Sequence, residues 1–536
     1  MTTYLHPNLI LVNGKIHTQS EMGVVSALAV RGAEIVACGS DDDMRPLAGP
    51  DTEWVDLGGR VVIPGLTDAH CHFEGFTRAR GLLNVRLPTL AAVLNRVAAR
   101  AAELPAGEWI LGHGWNQIAW EGDFPSAADL DDVAPAHPVY LTAQSLHMCW
   151  VNSMALQRAG VTRDTPDPDA GAIGRDAAGE PNGILFERAS GLIKAVMPEP
   201  SPAELARAMH AAQEQCWRLG LTGLHDFDGR SAFVAFQLLR DEASLGLRVV
   251  KNLPVAHLDQ AVGLGLRSGL GDDWLRMGNI KVFMDGALGP RTAAMLDPYE
   301  DEPDNRGMVV TDKEELYEYA ARASANGLAM TVHAIGDRAN HDLLDVVAAI
   351  RRDEAERGEP PATRRHRAEH VQILHPDDLA RLGALDVIAS MQPIHATSDM
   401  EMSDRYWGAR SANAYAWRAQ LDAGAVLAFG SDAPVEPISP LLGIHAAVTR
   451  RRADGSPGPD GWHPAQRLTV DEAVHAYTIG PAYAARMEHR LGALAPGLLA
   501  DLVVLDRDIY ECDPMEIAAA QVLGTMVGGE WKFRNM

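Results

Sequence analysis

Short apolar runs alternate with longer helix-like segments through the middle of the chain, and this alternation restricts the folds open to it. Residues 201–210, for example, open a helix that precedes the apolar run at 220–225. Strand and helix in alternation predict βαβ units and a parallel sheet. We therefore expect an α/β protein built on a (β/α)8 TIM barrel, a fold that extends past ~400 residues when its loops carry insertions.

The two ends of the 536-residue chain instead show short strands separated by turn residues. The Asn-Gly pair at 13–14 lies between two apolar runs and predicts a hairpin, and residues 28–37 predict a second one. Residues 500–505 and 525–531 have the same character. Both termini are therefore expected to form one small β domain.

These patterns suggest three parts. We assign residues 1–62 and 486–536 to the small β domain and residues 63–485 to the barrel. Residues near 86–200 are rich in Trp, Pro, Gly and Asp, fit a minimal barrel poorly, and are interpreted as an insertion.

Charge and cysteine usage exclude several classes of protein. The net charge is −25, from 47 Lys and Arg against 72 Asp and Glu, which argues against binding the phosphates of a nucleic acid. The five cysteines are far apart and form no C-x-x-C pair, as expected in a reducing compartment. The first residues have neither a basic segment nor an apolar run long enough for a signal peptide or membrane span. We expect a cytoplasmic protein with no membrane or nucleic-acid partner.

The motif PGLTDAHCH at residues 64–72 is the first candidate for a metal site. In a strand, side chains at i and i+2 share a face, so Asp68, His70 and His72 would align while Cys71 points away. Two imidazoles could then bind one ion, and the Asp68 carboxylate could orient a ring. An isolated H-x-H is also common by chance.

Three further candidates each end an apolar, strand-like run: His333, His370 and Asp432. Barrel enzymes collect their active-site residues from the carboxyl ends of several strands, so this placement predicts one shared site. Four histidines and a carboxylate suit Zn²⁺.

Lys281 lies inside another apolar run, where an unpaired ammonium would be costly. One interpretation is an ion pair with Asp285. The alternative is a depressed pKa that leaves a neutral amine, which captures CO₂ to form a carbamate bridging two metal ions.

Together these residues resemble the amidohydrolase superfamily, particularly the branch of N-substituted formamide deformylases and related metal-dependent hydrolases, which is similar to D-aminoacylases. The resemblance spans nearly the whole chain. The matching segments are VIPGLTDAHCH at 62–72, KVFMDGALGPRTAA at 281–294, VHAIGDR at 332–338, RAEHVQ at 367–372, MQPIH at 391–395, GSDAPVE at 430–436 and LGALAPGLLADLVVL at 491–505.

The resemblance implies a barrel that interrupts a small β-sandwich made from both termini. It also implies one or two zinc ions, with His70 and His72 at the more buried one and His333 and His370 at the other. Lys281 would bridge as a carbamate, and Asp432 would bind metal and move protons. The implied activity is hydrolysis of amide-type C–N bonds, other than peptide bonds, by metal-activated hydroxide.

Other residues are candidates for contacting the substrate. His395 ends a strand-like run and is expected to polarise the carbonyl or stabilise the oxyanion. His147 and His225 could line the pocket or lie in the core. Trp115 could form a wall of the site or fill the core of the insertion, and Arg291 could pair with a substrate carboxylate or with an acidic loop.

Two rival functions remain open at this stage. Hydrolytic deaminases of the same fold usually place a glutamate three residues after the strand histidine, where this chain has Gly336. A non-catalytic scaffold would typically have lost metal ligands, whereas this sequence keeps them. Formamides, N-acyl amino acids and cyclic amides are all open as substrates, and a homodimer would be ordinary for the assembly.

Overall fold

The structure is a computed structural model that describes residues 6–116, 120, 124–143, 148–169 and 171–536. The strands of this described chain are, in order, β1 Leu9–Val12, β2 Lys15–His17, β3 Val24–Val25, β4 Ala27–Arg31, β5 Glu34–Gly39, β6 Glu53–Asp56, β7 Val61–Pro64, β8 Leu66–Cys71, β9 Leu83–Asn84, β10 Ile110–Trp115, β11 Val139–Ala143, β12 Met148–Val151, β13 Gly171–Arg175, β14 Pro181–Glu187, β15 Leu221–Asp226, β16 Arg248–Pro254, β17 Leu275–Phe283, β18 Met330–Ala334, β19 Arg367–His370, β20 Ile388–Met391, β21 Leu427–Phe429, β22 Leu502–Leu505, β23 Val522–Val527 and β24 Glu530–Arg534.

The helices connect most of these strands. In the same order they are α1 Asp41–Met44, α2 Phe73–Gly81, α3 Leu90–Glu103, α4 Ala127–Val133, α5 Ser153–Ala159, α6 Ser190–Lys194, α7 Pro202–Arg218, α8 Arg230–Asp241, α9 Leu258–Gly263, α10 Lys313–Ala325, α11 Asp337–Glu356, α12 Arg381–Ala384, α13 Pro393–Trp407, α14 Trp417–Asp422, α15 Pro440–Thr449, α16 Val470–Tyr477 and α17 Ile479–Ala484. Every helix in the described ranges is too short or too polar to span a bilayer.

The largest sheet has eight strands in the order β21-β20-β19-β18-β17-β16-β15-β8, and all neighbouring pairs are parallel. Its edge strands β8 and β21 meet through backbone bonds rather than a ladder: Asp432 N donates to His70 O at 2.7 Å and His72 N to Ala433 O at 2.8 Å. Strands such as β15 and β19 are buried along their whole length because helices cover one face and barrel side chains fill the other. The (β/α)8 prediction is confirmed.

The chain termini supply two further sheets, in the orders β5-β4-β1-β6 and β24-β23-β22-β7-β2-β3. The C-terminal strand β22 pairs antiparallel with β7, so residues more than 400 positions apart are neighbours. Apolar side chains of both sheets, among them Leu11, Leu28 and Val504, form one buried cluster between them. This is the expected small β-sandwich.

One of the two predicted hairpins is wrong. β4 and β5 pair antiparallel as expected, but β1 and β2 do not pair with each other. The Asn-Gly hairpin turn needs positive φ at both central residues, whereas only Asn13 has it, at 54°. The chain instead passes from one sheet to the other at Asn13 and Gly14, and β2 pairs with β3 and β7.

Residues Thr77–Ser201 form a compact unit of their own, while Met1–Phe76 and Pro202–Met536 form the other. The Thr77–Ser201 unit contains a six-stranded sheet in the order β13-β14-β12-β11-β10-β9. Trp115 lies in its apolar cluster, fully buried, with its ring 6.0 Å from that of Trp150 and its Nε1 donating to Leu141 O at 2.9 Å. Trp115 is thus a core residue here, which corrects the expectation that it contacts substrate.

Candidate metal centre

The carboxyl ends of the barrel strands bring together the residues that the sequence singles out. His70 lies on β8, Lys281 on β17, His333 on β18 and His370 at the end of β19, while Asp432 follows β21 by three residues. Because all eight strands are parallel, these positions share one rim of the barrel.

Three of these side chains point ligand atoms at a common point. The donor atoms of His70, His370 and Asp432 all lie within 4.8 Å of one another. Oδ1 of Asp432 is 3.6 Å from Nε2 of His70 and 3.5 Å from Nε2 of His72. The H-x-H pair and Asp432 therefore face one another across the point where β8 meets β21.

His333 extends this cluster. Its ring centroid is 4.6 Å from that of His370, which in turn lies 4.8 Å from that of His70. The four imidazoles and the Asp432 carboxylate thus form one contiguous group of nitrogen and oxygen donors. Neutral imidazole and carboxylate are the ligand types that zinc prefers in proteins.

Each ring has one nitrogen tied to a neighbouring group. Nδ1 of His70 donates to Glu369 at 2.7 Å, and Nδ1 of His72 donates to Asp228 at 3.1 Å. His370 Nδ1 lies 2.8 Å from Oε1 of Gln392, and His333 Nε2 donates to the backbone O of Gly286 at 2.9 Å. Such partners fix the tautomer and leave the other ring nitrogen with its lone pair. The residues present therefore fit a bound metal ion.

The pKa values of three of the four rings point the same way, because a protonated imidazole cannot bind a metal. Burial, reinforced by the nearby Lys281 ammonium, lowers the pKa of His70 to about 4 and that of His333 to about 3. Burial also holds the pKa of His370 well below its ordinary value. His72 is the exception: burial would lower its pKa, but its hydrogen bond to Asp228 together with the nearby carboxylate charges of Asp228, Asp432 and Asp226 raises it overall.

Lys281 has no hydrogen-bond partner for its Nζ among the described residues. This buried atom lies between two aromatic rings, 4.8 Å from the centroid of Phe227 and 4.7 Å from that of Phe283. Burial lowers the pKa of the ammonium to about 8. An orphaned amine at the edge of the donor cluster is what the carbamate hypothesis requires.

The alternative, an ion pair between Lys281 and Asp285, is not what the structure shows. The Asp285 carboxylate accepts backbone N–H groups from Ala294 at 2.9 Å, Ile335 at 3.1 Å and Gly336 at 2.8 Å. It therefore holds the loop after β17 against the end of β18. Burial raises the pKa of Asp285 to about 7 despite these bonds.

Asp432 is held by an unusual backbone. Its φ is 59°, in the left-handed region, which turns the side chain towards His70 and His72. Two residues earlier, Gly430 passes so close to β8 that a Cβ would lie 2.4 Å from the backbone N of His70. Only glycine permits this approach, and it explains why a Gly-Ser step precedes the aspartate.

His395 lies beside Asp432, but it is not at the end of a strand as predicted. It is the third residue of α13, because the chain turns into a helix directly after β20. Its Nε2 is 3.4 Å from Oδ2 of Asp432 and its Nδ1 is 3.6 Å from Oε1 of Glu436. Burial would lower the pKa of His395, but these two carboxylates raise it to about 10.

Asp68 does not orient a histidine ring as expected. Its carboxylate accepts the backbone N–H groups of His70 and Ser431, each at 3.0 Å, and so joins β8 to the loop that carries Asp432. The ring partners that sequence reasoning missed are Glu369, Asp228 and Gln392. Glu369 could have been suspected, since it directly precedes His370 in the RAEH segment.

Two of the remaining predicted substrate contacts, His225 and Arg291, have partners within the protein. His225 is buried inside the barrel, where its Nδ1 accepts a hydrogen bond from Arg367 at 2.8 Å. Arg291 forms ion pairs with Asp301, at 3.2 Å, and Glu302, so the acidic-loop alternative is the one observed. His147 lies outside the described residues.

Comparison with known proteins places the chain in a family. The family model described as amidohydrolase family matches residues 53–531. The chain belongs to the amidohydrolase family. This confirms the resemblance inferred from the sequence and identifies a member of a hydrolase family.

Individual amidohydrolase relatives cover nearly its full length. The chain is 34% identical to Protein LONG AFTER FAR-RED 3 of Arabidopsis thaliana, over 98% of this chain and 91% of that protein. It is 30% identical to the N-substituted formamide deformylase of Arthrobacter pascens, over 98% of each. The crystal structure of an uncharacterized metal-dependent hydrolase from Pyrococcus furiosus superposes with a TM-score of 0.78 and 29% identity, over 94% of this chain and 100% of that one.

Proposed function

We propose that this amidohydrolase is a zinc-dependent hydrolase of amide-type C–N bonds. The observation that carries the proposal is the convergence of His70, His370 and Asp432, with ligand atoms within 4.8 Å of one another. The similarity to a metal-dependent hydrolase and to an N-substituted formamide deformylase supports it.

One or two zinc ions would be held by the donor cluster. Its members are His70, His72, His333, His370 and Asp432, with Lys281 as a carbamate bridge if two ions bind. When bound, zinc lowers the pKa of a water ligand to near ~7 and polarises a carbonyl oxygen.

Asp432 would carry the proton that the attacking water loses to the nitrogen that leaves. Burial would raise the pKa of this carboxyl, but its hydrogen bond with His395 and the neighbouring His70 and His370 hold the pKa well below its ordinary value. The carboxylate is therefore ionised and can accept a proton at Oδ. It would then pass that proton to the departing nitrogen, because an amide anion is too basic to leave unprotonated.

His395 would stabilise the negative charge that develops on the carbonyl oxygen. With a pKa of about 10 the ring is protonated at neutral pH, and its Nε2–H already points towards the cluster at Asp432. A cationic donor fixed beside the reacting carbon is the arrangement that favours a developing oxyanion.

The structure of the β18 loop argues against hydrolytic deamination. Gly336 occupies the position where a deaminase would carry its glutamate, and its N–H is bound to Asp285. A Cβ at Gly336 would lie 1.9 Å from the backbone O of Ala294. A larger residue could not enter without moving that loop.

Metal analysis and a substrate screen test the proposal together. The purified chain is expected to contain one or two zinc equivalents by plasma emission spectrometry. Loaded with zinc, it should release amines from a panel of N-formyl, N-acyl and cyclic amides, and chelation should abolish this release. A chain that retains no zinc and gains no activity on metal addition would favour the scaffold; ammonia release from amidine-type substrates would favour the deaminase.

A further inference from the structure

A strip of apolar side chains is exposed where β17 leaves the barrel. Phe283, the last residue of that strand, is 47% exposed, and Met308 and Val310 are each 54% exposed. The segment containing Val310 runs beside the chain that follows β17, since Val310 N donates to Met284 O at 2.8 Å and residue 309 bridges to Asp285. Phe283 and residues 308–310 are called the apolar strip below.

The strip begins at the donor cluster. Phe283 is the register partner of His333, and their ring centroids are 5.1 Å apart. The face of Phe283 also lies 4.7 Å from Nζ of Lys281. Phe283 thus contacts residues of the site while about half of the residue stays exposed to water.

Exposed apolar side chains are ordinary when scattered, but a run of them beside a polar site indicates a ligand. Binding sites for small molecules combine a few placed polar groups with an apolar wall that holds the rest of the ligand. The donor cluster provides the polar groups, and the apolar strip provides the wall.

We infer that the apolar strip binds an apolar group attached to the scissile amide, so that the substrates are amides with alkyl or aryl substituents rather than carboxylates such as N-acyl amino acids. This inference rests on the proposed function and adds the substrate class to it.

The charges around the site support an uncharged substituent. Arg291, which could have paired with a substrate carboxylate, is engaged by Asp301 and Glu302. On the other side of the cluster, His395 is flanked by the carboxylates of Asp432 and Glu436. Arg291 and His395 thus already have carboxylate partners within the protein, so neither is free to pair with a substrate carboxylate.

Two matched series of amides test the inference. In one series the nitrogen substituent is cyclohexylmethyl, methyl or carboxymethyl; in the other the acyl group carries the same three substituents. In at least one series the wild type should have its highest kcat/KM with the cyclohexyl member. Phe283→Ala should lower that value by at least about 10-fold, mainly through KM, and should lower the value for the methyl member by much less.

Controls separate this role from a structural one. Leu270→Ala removes a side chain that is also 54% exposed but precedes the amino end of the same strand, and it should behave as wild type. Phe283→Leu keeps an apolar side chain and should recover part of the preference. Saturation-transfer NMR should show that cyclohexylmethylamine binds the metal-free Phe283→Ala protein more weakly than the metal-free wild type, and the metal-free Leu270→Ala protein as tightly as the wild type.

Three results would overturn the inference. The first is a preference for the carboxymethyl member. The second is an equal loss for all members in Phe283→Ala, which would mean that Phe283 acts only through Lys281. The third is a change in oligomeric state on light scattering with unchanged preference, which would make the strip a contact between copies. If no amide is hydrolysed the proposed function fails, and the amine-binding comparison alone then decides about the strip.

Discussion

Asp432 stands between three histidine rings, with Nε2 of His70, His72 and His395 at 3.6, 3.5 and 3.4 Å from its carboxylate oxygens. One residue would thus both hold an ion and relay a proton. Asp432→Asn keeps the shape of the side chain but removes the charge and the proton acceptor.

We expect Asp432→Asn to lower kcat by at least about 1,000-fold on any amide the wild type hydrolyses, since the proton transfer contributes ~10²–10⁴ and a metal ligand is weakened as well. Steady-state kinetics on the zinc-loaded proteins measures this, and circular dichroism should show an unchanged fold. Asp378→Asn is the matched control, because Asp378 is also buried and bonded to a histidine, His341 at 3.0 Å. Comparable turnover in Asp432→Asn and wild type would remove the residue from the mechanism.

The sequence predicts the residues that would bind the metal better than it predicts the residues that hold those side chains in place. His70, His333, His370 and Asp432 could be recognised because each follows a strand-like run, and parallel strands bring their ends together. Their ring partners depend on which side chains meet across the barrel. Glu369 binds His70 from 299 positions away. Its place before His370 could mark it as near the site, but not as the partner of His70, and Asp68, which lies nearer to His70 in the sequence, binds backbone instead.

The secondary-structure elements of the barrel are joined by a buried polar cluster behind β19. Glu354 on α11 accepts hydrogen bonds from Ser324 of α10 at 2.6 Å and from His366 just before β19 at 3.0 Å, and it pairs with Arg351 at 2.7 Å. Burial would raise the pKa of Glu354, but these partners lower it to about 2.

The lowered pKa of Glu354 predicts that the free energy of unfolding decreases at acid pH. A carboxyl whose folded pKa lies below its unfolded value stabilises the fold fully above about pH 4.5, and loses that contribution as the pH falls towards 2. We expect Glu354 to account for a loss of about 2 kcal/mol in the free energy of unfolding between pH 5 and pH 3. Urea unfolding should show that the difference in the free energy of unfolding between wild type and Glu354→Gln is smaller at pH 3 than at pH 5 by this amount.

An exposed carboxylate on the neighbouring helix provides the comparison. Glu314 lies on the open face of α10, and Glu314→Gln should track the wild type at both pH values. If the difference in the free energy of unfolding between wild type and Glu354→Gln were the same at both pH values, Glu354 would not be the cause of the loss of stability in acid.

Element types were predictable where a segment carried both a pattern and a boundary signal, and less so where the chain turns. The run before His395 reads as a strand that ends in histidine, yet the strand stops at Met391 and Pro393 begins a helix. Pro fits the first turn of a helix, where its missing N–H is not needed. Pro393 is thus a helix-start signal in the sequence, but the apolar run around it favoured the prediction of a strand that ends at His395.

At the scale of the whole molecule, a buried ion pair joins the barrel to the terminal sheets. Arg248 opens β16 at the amino end of the barrel and binds Asp501, just before β22, through Nε–Oδ2 at 2.5 Å and Nη2–Oδ1 at 2.8 Å. Asp501 also accepts the N–H of Gly528 at 2.7 Å. That both termini would meet in one β domain could be predicted from the sequence, whereas this link could not, because its partners lie 253 residues apart.

Asp501→Asn should separate stability from catalysis. Removing one partner of a buried pair leaves the guanidinium without its counter-charge and typically costs ~3–5 kcal/mol. We expect a loss of this size in the free energy of unfolding, measured by urea denaturation. Because Arg248 lies at the opposite end of the barrel strands from the donor cluster, kcat at 25 °C should stay within about twofold of wild type. Glu214→Gln, which breaks the exposed pair with Arg218, should change stability by less than ~1 kcal/mol. If Asp501→Asn instead lowered kcat while leaving stability unchanged, the pair would act on the site rather than hold the terminal sheets to the barrel.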